Sequence, residues 1–420
     1  MKINNNSTIQ MFSLFIDKYN GQEEEYIVGR KETGEYINVP RVAIESIDLL
    51  NQRLTIGEVE SKLSAKYKEE IGVLEFVNTC FEIGFINKVD GTEVTSINEK
   101  QVIKNQFSFI KPKVAKVFFN IYAWFFYIAL FIYSMVLYIA SPKSLPKITD
   151  FLFHDSLTIV VTFGLLSMWG IIFIHEIGHL IAARAHSIES KVKFGRSGMY
   201  LVIETVIPNI WAATKKARNE IFLAGLAFNS LMLSSSLTIV YLHDIGIINY
   251  SEELYRFVRF IVIINIWSFI TQPLIFTKSD LYYVLNNQWN CTDLHGYTAL
   301  YTKKKFGFHL ISDDIEKLKN ISKQENISIK KYLPIYLLGL IFSFTVAIVY
   351  SGLTYWYFTL SKGILFDGKV LTLQFWDRFF GVGYLITPFI WLFVYIVIDF
   401  IKERKENLFS KRRELNEGNS

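Results

Sequence analysis

Residues Leu157 to Ala185 read LTIVVTFGLLSMWGIIFIHEIGHLIAARA. No residue from Leu157 to Ile174 carries a charge, and a run of about this length is what a bilayer-spanning helix needs. Still inside hydrophobic sequence come His175, Glu176 and His179. Positions four apart share one face of a helix, so His175 and His179 can aim two imidazoles at one ion, with Glu176 one step round. This HExxH spacing offers two neutral ligands to zinc and a carboxylate that can take a proton from water. The plainer alternative is a set of buried polar residues stabilising a helix bundle. Ionisable groups in membrane helices are costly and generally functional, and zinc would offset the cost by neutralising the cluster.

A hydrophobic helix carrying HEIGH resembles the site-2 protease family, the intramembrane zinc metalloproteases. The resemblance covers about residues 115–290 and implies a zinc cofactor and peptide-bond hydrolysis. It also implies a third zinc ligand, an aspartate on another membrane helix, in a segment that contains Asn and Pro and ends in Asp-Gly. The stretch SFITQPLIFTKSDLYYVLNN supplies Asp280, with Gln272 eight positions earlier, where the family has its Asn. Leu281 stands in place of the family's Gly, and both departures bear on the local turn and on a substrate-orienting role for Gln272. The alternative for Asp280 is an interfacial carboxylate beside Lys278 that caps the next helix. Gly225-Leu226-Ala227-Phe228-Asn229 resembles the family's G-P-x-x-N, with Leu226 for Pro. Asn229 then has two readings, a substrate-orienting amide near the site or a polar contact that joins helices. A zinc protease of another pattern would draw on Glu189 downstream of the motif; the membrane setting favours Asp280.

The rest of the chain fits a polytopic α-helical membrane protein with a small soluble α+β domain. Half of the composition is hydrophobic, and 20% is charged. The net charge of +5, without a basic patch interleaved with aromatics, implies no nucleic-acid partner. Cys80 and Cys291 have no CxxC partner, which excludes a cysteine zinc site or a disulfide framework. The polar start MKINNNSTIQ predicts no cleavable signal peptide. Six apolar segments are expected at about Val117–Ala140, the HExxH helix, Ile221–Leu242, Phe257–Phe276, Tyr332–Phe358 and Phe380–Ile401. Residues 190–216 are too broken for a span. Alternating Met199, Leu201, Ile203 and Val206 suggest a hairpin near the site, with an interfacial loop as the alternative. His154, His186, His243, His295 and His309 are expected at the surface, in loops or at helix ends. The expected divisions are residues 1–110 for the soluble domain, 115–290 for the metalloprotease core, 291–331 for a cytosolic linker, 332–402 for two further spans and 403–420 for a basic tail.

Within the first 110 residues, Tyr26–Val28 and Tyr36–Val39 predict a hairpin about the turn 32–35. Pro40 predicts the first position of a helix through Leu50, and Thr55 with Glu58 predicts a capping box opening a second. A third helix is expected over 68–82, Gly84 as its C-cap and Phe85–Val89 as a strand. This winged-helix-like order, with LLNQRLTIGEVESKLSAKY and FEIGFI, resembles PqqD-like domains. Such domains bind the leader of a ribosomally made precursor peptide by adding it to a sheet edge. The alternative is a helical cap or regulatory domain.

Lysine and arginine cluster at 215–218, 303–305, 330–331 and 402–413, while 243–255 has none. This positive-inside pattern predicts both termini cytosolic and places His175 near the cytosolic side; the resemblance to peptide-processing proteins implies a bacterial cell membrane. The expected function is therefore an intramembrane zinc metalloendopeptidase. It would mature a bacteriocin-like or signalling peptide beside an exporter or modifying enzyme. Two alternatives stand: a non-proteolytic adaptor that hands a precursor to an exporter, and a protease that cleaves a membrane-anchored transcription regulator.

Overall fold

The structure is a computed structural model that describes residues 3–18, 25–30, 35–94, 107, 109–197, 200–308, 310, 312–319, 321–367 and 370–417. The N-terminal part follows its hydrophobic pattern. Strands β1 (Ile9–Met11), β2 (Phe15–Lys18), β3 (Glu25–Arg30) and β4 (Glu35–Pro40) precede three helices, α1 (Arg41–Asn51), α2 (Ile56–Tyr67) and α3 (Val73–Glu82). Strands β5 (Ile86–Val89) and β6 (Thr92–Glu93) close it. They form two antiparallel three-stranded sheets, ordered β2-β3-β4 and β1-β5-β6. Val28, Leu50, Val59, Val77 and Phe85 are wholly buried between the sheets and helices.

The expected hairpin is β3–β4, with its turn at 31–34 outside the described residues. The Thr55–Glu58 capping box forms as expected. Three details differ. Pro40 ends β4 and is the N-cap of α1, not its first residue. Lys68 adopts a left-handed conformation (φ 56°), which stops α2 and delays the third helix to Val73. Strands β1, β2 and β6 were not in the expected set. Each is very short, and β1 is fixed by pairing Ile9 with Val89 at the far end of the domain, which no local pattern reveals.

Among the described residues, ten helices and one hairpin follow. They are α4 (Pro112–Phe118), α5 (Ile121–Ala140), α6 (Leu157–Ala185), the hairpin β7 (Lys191–Ser197) and β8 (Tyr200–Val206), α7 (Lys215–Asp244), α8 (Glu252–Thr271), α9 (Asp280–Gln288), α10 (Leu294–Lys305), α11 (Ser312–Lys319), α12 (Lys323–Phe366) and α13 (Leu373–Glu417). Among the described residues, six helical stretches are long and apolar enough to cross a membrane: α4 with α5, then α6, α7, α8, α12 and the first part of α13. Their outer faces are apolar; Ile139 is 78% exposed, Phe393 68% and Leu338 65%. Water penalises so large an apolar surface, and hydrocarbon does not.

Helix α7 is the axis of the bundle. Its apolar window is 61% buried, against 22% or less for the other five. It meets α6 along a seam of small residues, with Ala182, Ala183, Ala217, Ala224 and Ala227 all buried. Helix α7 starts earlier than expected, at Lys215, because Thr214 Oγ1 accepts the Ala217 N–H as its cap. Helix α8 stops at Thr271, short of the expected Phe276, because Pro273 cannot continue it. Residues 291–331, expected as a linker, fold as α10, α11 and the start of α12. They pack Cys291, Leu294, Ile329 and Tyr332 around Tyr282.

Candidate metal centre

The site begins with two glycines. A Cβ on Gly178 would stand 2.7 Å from the Ala224 carbonyl oxygen, so only glycine lets α6 lie this close to α7. On the facing helix, a Cβ on Gly225 would overlap the imidazoles of His175 and His179. The backbone of α7 therefore forms the floor under both rings. His179 Nδ1 lies 2.7 Å from the Ile221 carbonyl oxygen, an acceptor that requires the proton on Nδ1. That bond fixes the ring and leaves the Nε2 lone pair facing the cluster, as a carbonyl partner does for a metal-binding histidine.

The third group arrives from the bend after α8. Asp280 is the first residue of α9, yet its oxygens turn away from that helix. Oδ2 lies 3.1 Å from His175 Nε2, and Oδ1 lies 3.4 Å from His179 Nε2. The two Nε2 atoms are 3.1 Å apart. Ligands held 2.0–2.1 Å from a tetrahedral zinc ion lie about 3.3 Å from one another, so these separations fit one ion. The donor set, two imidazoles and one carboxylate, is also the chemistry zinc takes. Burial acts to raise the Asp280 carboxyl, and the adjacent His179 and His175 outweigh it, leaving the group below the usual carboxylate range.

Gln272 lines the same cavity as His175 and Glu176, and it is also bonded to Asp280. Its Nε2 donates to Asp280 Oδ2 (3.3 Å), and its Oε1 accepts the Asp280 main-chain N–H (3.1 Å). The same residue's carbonyl accepts from Ser279 Oγ (2.7 Å). Gln272 thus braces the third donor at both ends. Asn229 is buried and joins α7 to α8 through Ser268 Oγ (2.5 Å). Its Oδ1 has no partner among the described residues, and Asn229 lines the same cavity as Glu176. The helix-joining contact is therefore present, with one acceptor left over.

Glu176 is held by the hairpin. Its carboxylate Oε2 accepts the Thr205 N–H (2.7 Å), and the Thr205 hydroxyl donates to the Glu176 carbonyl (2.9 Å). Within the broken stretch 190–216, β7 and β8 pair antiparallel beside the motif, with Gly198 and Met199 outside the described residues. Two cavities meet at Glu176. One, about 830 Å³, is largely apolar and runs along α6 from Leu157 to His175, with Phe260, Tyr357 and Tyr384 opposite. The other, about 550 Å³, opens past Thr205, Trp211 and Lys278. Thr205, Ile221 and the packing role of Gly225 escape a sequence reading. Gly225 and Gly178 carry the only signal, two glycines in apolar helices.

Other candidates fall away. Glu189 does not join the histidine–carboxylate group. His186 pairs with Glu220 (2.9 Å), and His295, expected at the surface, packs among Tyr282, Tyr332 and Tyr336. Burial pushes the Cys80 and Cys291 thiols up to about 12, so neither is a thiolate at neutral pH. Compared with known proteins, the chain matches no family model, no curated protein and no solved structure.

Proposed function

We propose that the protein is a membrane-embedded zinc metalloendopeptidase of site-2 protease type that processes a small ribosomally made precursor peptide. One observation carries this reading. The Nε2 atoms of His175 and His179 lie 3.1 Å apart, and the two carboxylate oxygens of Asp280, from a separate segment, lie 3.1 and 3.4 Å from them, one oxygen to each ring, with the Glu176 carboxylate grouped with the two histidines. A structural polar cluster has no use for a carboxylate held next to such a set.

His175, His179 and Asp280 would hold the metal, which when bound acts as a Lewis acid toward water and a peptide carbonyl. Glu176 is the general base: it takes a proton from the attacking water and returns it to the leaving amine. The Thr205 N–H keeps that carboxylate beside the donors. The apolar cavity along α6 suits a hydrophobic stretch of substrate, and the second cavity gives water a separate approach. On this reading the second opening and both termini face the cytosol of a bacterial cell, and the positive-inside pattern supports the orientation. The PqqD-like domain would bind the leader by strand addition at a free edge of β2-β3-β4 and raise its concentration near the opening. Tyr36 of β4 supports the placement, since its hydroxyl donates to Asn209 Oδ1 (3.2 Å), close to the wall formed by Ile207 and Trp211.

Mass spectrometry of peptides from the native host tests this, with wild type set against Glu176→Gln. Accumulation of a precursor at the expense of a shorter peptide supports the protease and identifies the substrate. An unchanged profile that alters only when the whole protein is deleted points to the adaptor. Accumulation of an uncut membrane-anchored regulator points to the signalling protease.

A further inference from the structure

Helices α12 and α13 carry no chemical motif, but α12 grips the segment that presents Asp280. Between α8 and α9 the chain is a bend with one 3-10 turn over Ile275–Thr277. The hydrogen bonds of this segment are local turn bonds that do not tie it to the rest of the bundle, and a metal ligand must be held to about 0.5 Å. Gln272 fixes the side chain within the bend; something must fix the bend itself.

Helix α12 meets it at successive turns. Tyr332 is wholly buried and donates its hydroxyl to the Ile275 carbonyl (3.2 Å). Its ring centroid is 6.1 Å from that of Tyr282, two residues after Asp280. Gly339 lies against Phe276, where any Cβ would overlap the Phe276 ring. Earlier on the helix, Ser328 Oγ donates to the Trp289 carbonyl (3.2 Å) at the end of α9. Glu325 Oε1 accepts from Thr292 N and Oγ1 (3.3 and 3.1 Å). The contacts thus bracket Asp280 from both sides along the chain.

We propose that Tyr332 and Gly339 are positioning residues for the third metal ligand, so that the fifth span is part of the metal centre. The proposal rests on His175, His179 and Asp280 being metal ligands. A merely structural α12 would stabilise the bundle without affecting the metal. Tyr350 supplies the control. It sits on the same helix and donates its hydroxyl to a carbonyl of the same kind (Leu385, 3.1 Å), but it joins α12 to α13.

The test loads purified full-length protein with cobalt(II) and follows its visible spectrum and its loss to a chelator. Tyr332→Phe should alter the spectrum and speed cobalt loss about tenfold, the effect of one missing support for a ligand. Gly339→Leu should act more strongly, and Tyr350→Phe should match wild type. If Tyr332→Phe keeps the wild-type spectrum and loss rate, the proposal is overturned while the ligand assignment stands. If wild type takes up no cobalt, the ligand assignment fails and the proposal with it. A Tyr350→Phe effect equal to that of Tyr332→Phe also overturns it, since α12 then acts through general stability.

Discussion

Helix α6 and the bend at 272–282 both supply side chains to one cluster, and they do so by opposite means. On α6 a regular backbone does the work: a four-residue spacing puts His175 and His179 on one face. At the bend the backbone is irregular, and Asp280 is aimed by Gln272 within the segment and by α12 from outside. On α6 local sequence sets the spacing of the pair and α7 fixes the rings through Ile221 and Gly225, whereas on the bend even the placement of the donor needs the fold around it. The two halves should therefore respond differently to substitution.

The largest effect belongs to the helix. Glu176→Gln keeps the shape and removes the base, so substrate turnover should fall by roughly three orders of magnitude or more with zinc retained. Precursor cleavage and zinc content, measured on one preparation, check both parts. Equal cleavage by the variant would break the assignment of α6 as the chemical half.

Gly225→Ala should come next. Its methyl group enters the space of both imidazoles, so metal content should drop sharply while the helical circular dichroism stays near that of wild type. Full metal occupancy in this variant would show that the floor formed by α7 is not needed. Gln272→Leu tests the bend. Loss of both bonds to Asp280 should weaken zinc binding about 10- to 100-fold, read by chelator competition. Little change there would mean that α12 alone suffices. The smallest effect is expected for Thr205→Val, which keeps the N–H bond to the Glu176 carboxylate and loses only the hydroxyl bond. Turnover should fall by roughly fivefold, with Thr205→Ser restoring it.

This contrast also explains what the sequence could reveal. The boundaries of α6 were readable to the residue, because an uninterrupted apolar run and a motif with helical period say the same thing. The Thr55–Glu58 capping box was readable for the same reason, being local. Asp280 was reachable through resemblance, but its support was not. Gln272 was expected near substrate and does line the cavity; its two bonds to Asp280 were not legible, because a side chain in a bend can fold back on its own segment. Tyr332, Gly339 and Thr205 had no local signature, since each acts on a partner far away in the chain. Strands β1, β2 and β6 were missed likewise: they are short and defined by pairing. Residues 291–331 looked like a linker because their charges dominate, while the buried Cys291, Leu294 and Ile329 are spread too thinly to show a period.

The most direct measurement is the zinc content of purified full-length protein, wild type beside Asp280→Ala, by elemental analysis after removal of loosely held metal. A single centre built from α6 and the bend predicts about one zinc per chain in wild type and a large loss in the variant. Wild type without zinc, or a variant that holds zinc as tightly as wild type, would contradict it.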